Sequence, residues 1–124
     1  MKKLKILIVE DETIIALDLR KTFEKFGYDV CDPVYYAADA IETAEQERPD
    51  VMLTDINLMG EMDGIEAAQQ IHARFGIPIA FISGYIDKET MTRARVVDPI
   101  EYFVKPFNVR KVLKTIHRSL TSDD

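Results

Sequence analysis

Three carboxylates stand in a row at Glu10, Asp11 and Glu12, directly after the apolar run Ile6-Leu7-Ile8-Val9. Another, Asp55, ends the run Val51-Met52-Leu53-Thr54. Ser83 and Gly84 follow the apolar stretch 77–82, and Lys105-Pro106 follow Tyr102-Phe103-Val104. Acids, a hydroxyl and a lysine at the ends of four apolar runs can do phosphoryl-transfer chemistry if folding brings those ends together. Two like charges about 4 Å apart repel by roughly 4 kcal/mol at an effective dielectric of about 20, so converging carboxylates need raised pKa values or a cation. An all-oxygen donor set with open positions suits Mg²⁺, which keeps waters and phosphate oxygens in its octahedron. No His or Cys lies near these positions in the chain to favour zinc. A lysine adds a point charge for a phosphoryl oxygen.

Each residue taken singly has a plainer reading. Asp11 could cap a helix, with Glu12 complementing its dipole. Asp55 could end a turn, Ser83 could be a turn or cap residue, and Lys105 could be a solvated surface lysine. Joint placement is what carries the chemical reading, and that depends on the elements between.

Short β-branched or aliphatic runs at 4–9, 51–54 and 77–82, with fainter ones at 29–34 and 102–104, alternate with stretches of helical period. In the first stretch Ile15, Leu19, Phe23 and Phe26 share a face, and Gly27 follows as the C′ residue. The second, 37–47, aligns Ala37, Ala40, Ile41 and Ala44 and stops before Pro49. A third opens at the N-cap Asp63 and carries Ile65, Ala68, Ile71 and Phe75 before Gly76. Asp87 caps a fourth, running to about Arg95. The last opens at Asn108, with Val109, Val112, Leu113, Ile116 and Leu120 as its buried stripe. Five strand signals alternating with five helix signals predict βα units, hence a parallel sheet covered on both faces. Pro33 falls in the second strand and confines it to an edge. The flavodoxin-like α/β order 2-1-3-4-5, a doubly wound (βα)₅ fold, places it there. In that order the ligand crevice lies beyond the carboxyl ends of the first and third strands, where Glu10, Asp11 and Asp55 stand.

At 124 residues the chain is the size of one domain, with 47% hydrophobic and 31% charged residues. Apolar runs fall far short of the roughly 20 residues that span a bilayer, and the run after Met1-Lys2-Lys3 breaks at Glu10 with no cleavage site following. The expectation is a cytoplasmic protein without membrane contact. Cys31 is alone, so it forms neither an internal disulfide nor a metal cluster, and it reads as a small core hydrophobe. A formal charge of −6 argues against nucleic acid as a direct partner. His72 and His117 read as half-exposed helix residues.

The order Glu10-Asp11, Asp55, Gly64, Ser83-Gly84, Tyr102 and Lys105-Pro106-Phe107 resembles the receiver domains of two-component response regulators, and the resemblance covers essentially the whole chain. It implies that Asp55 is the phospho-acceptor. Glu10, Asp11 and Asp55, with the backbone carbonyl of Asn57, would hold Mg²⁺ or another divalent cation such as Mn²⁺. Lys105 would contact the phosphoryl group, with a cis bond to Pro106. Ser83 and Tyr102 would form the switch, the hydroxyl moving toward the phosphoryl group and the ring turning inward. Asn57 and Tyr85 would tune the lifetime of the acyl phosphate, and Gly84 would leave room for it. Implied partners are a sensor histidine kinase or a histidine phosphotransfer protein, a downstream protein target, and a second copy of the chain in a phosphorylation-dependent homodimer. The stretch Leu58-Met59-Gly60-Glu61-Met62-Asp63-Gly64 is one residue longer than the common pattern and has Gly60 where proline is usual.

Three rivals share parts of this description. An aspartyl phosphatase of the haloacid-dehalogenase type needs a D-x-D motif after the first strand, which Glu10-Asp11-Glu12 lacks. A flavodoxin needs a Ser/Thr/Gly-rich phosphate loop at the same place. A phosphorylation-independent interaction module with the receiver fold would not need the complete set Glu10, Asp11, Asp55, Ser83 and Lys105. The expectation is therefore a single receiver domain over residues 1–124, without an output domain, and not an enzyme acting on other molecules. On its final helix Lys111, Lys114 and Arg118 line one face, either a solvated one or a docking surface.

Overall fold

The computed structural model describes residues 3–122. Its elements alternate as expected: β1 (Lys5–Val9), α1 (Thr13–Lys25), β2 (Asp29–Val30), α2 (Ala37–Glu47), β3 (Val51–Asp55), α3 (Gly64–Phe75), β4 (Ile79–Ser83), α4 (Lys88–Ala94), a 3₁₀ turn (Arg95–Val97), β5 (Tyr102–Val104) and α5 (Val109–Thr121). The five strands form one parallel sheet in the order β2-β1-β3-β4-β5. This is the flavodoxin-like arrangement.

Alternation along each strand divides the core in two, because successive side chains point to opposite faces. Leu7, Val9, Met52 and Phe81 pack with Ala40, Ala44, Ile65 and Ile71 under α2 and α3. Ile6, Ile8, Leu53 and Ile82 pack with Leu19, Phe23, Val112 and Ile116 under α1 and α5. Strands buried on both sides carry no polar alternation, which accounts for their continuous apolar runs.

Caps fall largely where expected. Asp63 accepts the N–H of Glu66 at 2.9 Å while Glu66 accepts the N–H of Asp63 at 3.2 Å, a reciprocal capping box. Asp87 and Asn108 accept the N–H groups of Thr90 and Lys111. Hydrogen bonding holds the Asp87 carboxyl below its usual range, first through Thr90.

Two expectations need correction. Phe26 is not part of the buried stripe of the first helix; it is 56% exposed at the C-cap and meets His117 edge-on at 5.3 Å. The second strand does not run to Val34 but ends at Val30, with Val34 forming an isolated bridge to Val9. Pro33 has no N–H to add to the ladder, and Asp32 and Pro33 are exposed as the chain leaves the sheet. It returns where the Glu10 N–H meets the Val34 carbonyl at 3.3 Å. Gly60 has φ 103°, a left-handed conformation closed to proline, which explains the departure from the usual residue in that loop.

Candidate functional site

The site forms where β1, β3, β4 and β5 end on one side of the sheet. β1 and β3 pair directly, Val9 opposite Thr54, so Glu10 and Asp55 emerge side by side. Glu10 and Asp55 are buried, at 0% and 3% exposure, and Asp11 is half-buried beside them. Each of the three offers a carboxylate oxygen, all within 4.8 Å of one another. The Asn57 N–H donates to Asp55 Oδ1 at 3.0 Å, which fixes the carboxylate.

Lys105 enters from the end of β5, next to a cis bond to Pro106. Its N–H donates to the Ser83 carbonyl at 2.8 Å, tying the β5 exit to β4. Its ammonium donates to Asp55 Oδ2 at 2.8 Å and to Glu12 Oε2 at 2.5 Å, with a longer bond to Glu10 Oε2 at 3.5 Å. Burial alone would lower the lysine pKa, but the bonds to Asp55 and Glu12 outweigh it and hold the group above its usual value. Lys105 is thus charged throughout the physiological range.

One cation does not balance these acids. Glu10 Oε1 lies 3.2 Å from Lys105 Nζ but off its bonding directions, and this buried oxygen has no hydrogen-bond partner among the described residues. Burial raises the Glu10 carboxyl from its ordinary 4.5 to about 7; Asp55 adds to the rise, and the Glu12 N–H and Lys105 oppose it. An unpartnered buried carboxylate oxygen beside two further carboxylates fits a hard divalent cation, and the purely oxygen donor set fits Mg²⁺ or Mn²⁺.

The Glu10 shift sets a pH dependence. A folded-state pKa above the unfolded value stabilises the fold below the unfolded pKa, and that contribution is lost as pH rises through the folded one. In EDTA, the stability of wild type relative to Glu10→Gln is expected to fall between about pH 4.5 and about pH 7 and then level off. Thermal melts of both proteins across this range check it; a flat difference would mean that Glu10 is not perturbed.

Ser83 and Tyr102 lie where the sequence places them. Ser83 is buried; its Oγ donates to the Tyr85 carbonyl at 2.7 Å and accepts from the Tyr85 N–H and Asn57 Nδ2. Tyr102 stacks on Phe81 with ring centroids 6.1 Å apart. Its hydroxyl is buried without a hydrogen-bond partner among the described residues, and burial raises its pKa. An unsatisfied buried hydroxyl costs about 1–3 kcal/mol, so Tyr102→Phe is expected to match or exceed wild-type stability in urea melts. A loss of stability would show that the hydroxyl has a partner in solution.

Glu12 is the participant that residue-by-residue reading missed. It holds the N-cap position of α1 but its side chain caps nothing; it reaches across to Lys105 instead. The available signal was its place in an unbroken acidic triplet at a strand exit. Gly64 also gains a physical reason. Its N–H meets the Ile56 carbonyl at 2.9 Å, and a Cβ on it would lie 1.9 Å from the Asp55 carbonyl oxygen. The first turn of α3 thus sits directly against the backbone of the central acid.

Among curated proteins, the transcriptional regulatory protein PdtaR of Mycobacterium tuberculosis is 30% identical over 117 residues, covering 94% of this chain and 57% of its own length. The phyllosphere-induced regulator PhyR of Methylorubrum extorquens is 32% identical over 116 residues, covering 93% of this chain and 43% of its own. The chain thus spans about half the length of these relatives. The signal receiver domain of a modulated diguanylate cyclase from Desulfovibrio desulfuricans G20 superimposes with a TM-score of 0.89 at 36% identity, covering 96% of this chain and 94% of that one. A CheY-like receiver domain protein from Methanospirillum hungatei JF-1 gives 0.88 at 29%, with the same coverage. The family model for the response regulator receiver domain matches residues 6–117, a span that begins in β1, ends in α5 and includes every strand exit described above. The chain belongs to the response regulator receiver domain family.

Proposed function

We propose that this chain is a phosphorylation switch that accepts a phosphoryl group on Asp55 from a phosphohistidine, on a sensor histidine kinase or a histidine phosphotransfer protein, in a reaction requiring Mg²⁺ or a similar divalent cation. The observation that carries the reading is the Asp55 carboxylate itself. It is buried at the end of the central strand, fixed by the Asn57 N–H, and 2.8 Å from the Lys105 ammonium.

Glu10, Asp11 and Asp55, with the Asn57 backbone carbonyl, would hold the cation. When bound, it supplies positive charge to the transferring phosphoryl oxygens. Asp55 attacks phosphorus in line, a P–O bond forms as the donor's P–N bond breaks, and the imidazole departs. Lys105, near one Asp55 oxygen, takes up charge on a phosphoryl oxygen. Water then hydrolyses the acyl phosphate, so the protein processes only its own modification and is not an enzyme for other substrates. Ser83 turns from Tyr85 toward the phosphoryl group, the packing around Tyr102 adjusts, and the surface of α4, β5 and α5 changes for a downstream protein target or a second copy. A cytoplasmic setting fits this chemistry, and no helix among the described residues is long and apolar enough to cross a membrane.

Intact mass after incubation with acetyl phosphate and Mg²⁺ tests the reading. The expected result is an alkali-labile gain of one phosphoryl group, absent in EDTA and in Asp55→Asn. No gain, under conditions that phosphorylate another receiver and with phosphohistidine donors also inactive, would leave an interaction module that works without phosphorylation.

A further inference from the structure

We propose that Glu12 is a gate on Lys105: its carboxylate competes with the incoming phosphoryl group for the lysine's ammonium and so slows phosphorylation of Asp55, an inference that rests on Asp55 being the acceptor. An ammonium has three N–H donors. Here its oxygen partners come from three carboxylates, Glu12 at 2.5 Å, Asp55 at 2.8 Å and Glu10 at 3.5 Å. A phosphoryl oxygen gains a bond from Lys105 only when one of these is given up.

The three acids are not equally free to let go. Glu10 and Asp55 are buried at the ends of β1 and β3, where release from the lysine requires another cation to take its place. The Glu12 side chain is 57% exposed and can turn into solvent. It also makes no side-chain cap bond to α1. The shortest contact to Lys105 is therefore also the one most easily broken, and it spans the start of α1 and the exit of β5. While it holds, it keeps a negative charge beside the path of a negative phosphodonor and occupies the cation meant for it.

The test is the rate of Asp55 phosphorylation by acetyl phosphate and Mg²⁺, followed by intact mass, in wild type, Glu12→Gln, Lys105→Met and the double variant. Glu12→Gln keeps the side chain's shape and removes its charge. It is expected to raise the rate about threefold or more, an advantage that shrinks at high ionic strength. In the Lys105→Met background the same change is expected to do nothing, because the effect runs through the lysine. A second readout needs no metal: in EDTA, the Lys105 ¹³Cε resonance, assigned by its loss in Lys105→Arg, is expected to shift in Glu12→Gln. An unchanged or slower rate in Glu12→Gln, with wild type phosphorylated normally, overturns the gate and leaves the acceptor reading intact. Acceleration that persists in Lys105→Met also overturns it, since that is general charge repulsion. A wild type that takes no phosphoryl group on Asp55 removes both.

Discussion

Replacing Lys105 with methionine is expected to lower the rate of Asp55 phosphorylation by about a hundredfold, the usual cost of removing one preorganised group that stabilises transition-state charge. The same change is expected to tighten Mg²⁺ binding. Lys105 occupies Asp55 Oδ2 at 2.8 Å and stands 3.2 Å from the unpartnered Glu10 Oε1. Both carboxylates belong to the set that would bind a divalent cation, so the ammonium and the ion compete for them. With the lysine gone, the carboxylates have no internal cation, and the variant should melt lower than wild type in EDTA and recover with saturating Mg²⁺. Calorimetric titration with Mg²⁺ and melts with and without it check both effects. Weaker Mg²⁺ binding in Lys105→Met would show that the lysine organises the acids rather than competing for them.

Gly64→Ala is the substitution expected to damage the fold most for its size. The added methyl would meet the Asp55 carbonyl oxygen at 1.9 Å and its carbon at 3.0 Å, and the obstacle is backbone at the end of a buried strand. Alanine gains less than about 1 kcal/mol in helix propensity at such a position. Forcing atoms into a packed site costs about 1–3 kcal/mol, and here a displaced α3 would carry Ile65 and Ala68 out of the core with it. The net result is a melting temperature lower by roughly 4 °C per kcal/mol lost, with slower phosphorylation because Asp55 moves. Gly84→Ala is the control. Nothing lies within 4 Å of a Cβ there, and its stability should match wild type. Equal melts for both alanine variants would mean that the first turn of α3 can back away freely.

Strands and helices were readable because each feeds a core: Leu7 and Ile8 serve opposite faces of the sheet, and the spacing of Ile65, Ala68 and Ile71 can only be one side of a helix. The location of the site followed from topology, since a parallel doubly wound sheet gathers Glu10, Asp55, Ser83 and Lys105 at one end. What escaped was set by contacts between elements. Phe26 keeps the helical period but falls at the C-cap, just beyond α1, where it is exposed and meets the His117 ring. Val34 is apolar and buried, yet Pro33 removes the donor that would have made the segment a continuous strand. Glu12 had two reasonable places to put its charge, the helix terminus and the lysine, and only the distance across to β5 decides between them. The need for glycine at position 64 likewise arises from a neighbour nine positions earlier in the chain.

The outermost strands of the sheet are its shortest, β2 with two residues and β5 with three, against five in each strand between them. An unpaired strand margin is a template on which another chain can add hydrogen bonds, and its danger grows with its length. Here both margins offer only a few backbone groups, and the chain turns away from β2 at Pro33. Two molecules meeting side by side have too little ladder to extend, so the sheet can be strongly apolar through its middle and still stay out of fibrils in a crowded solution.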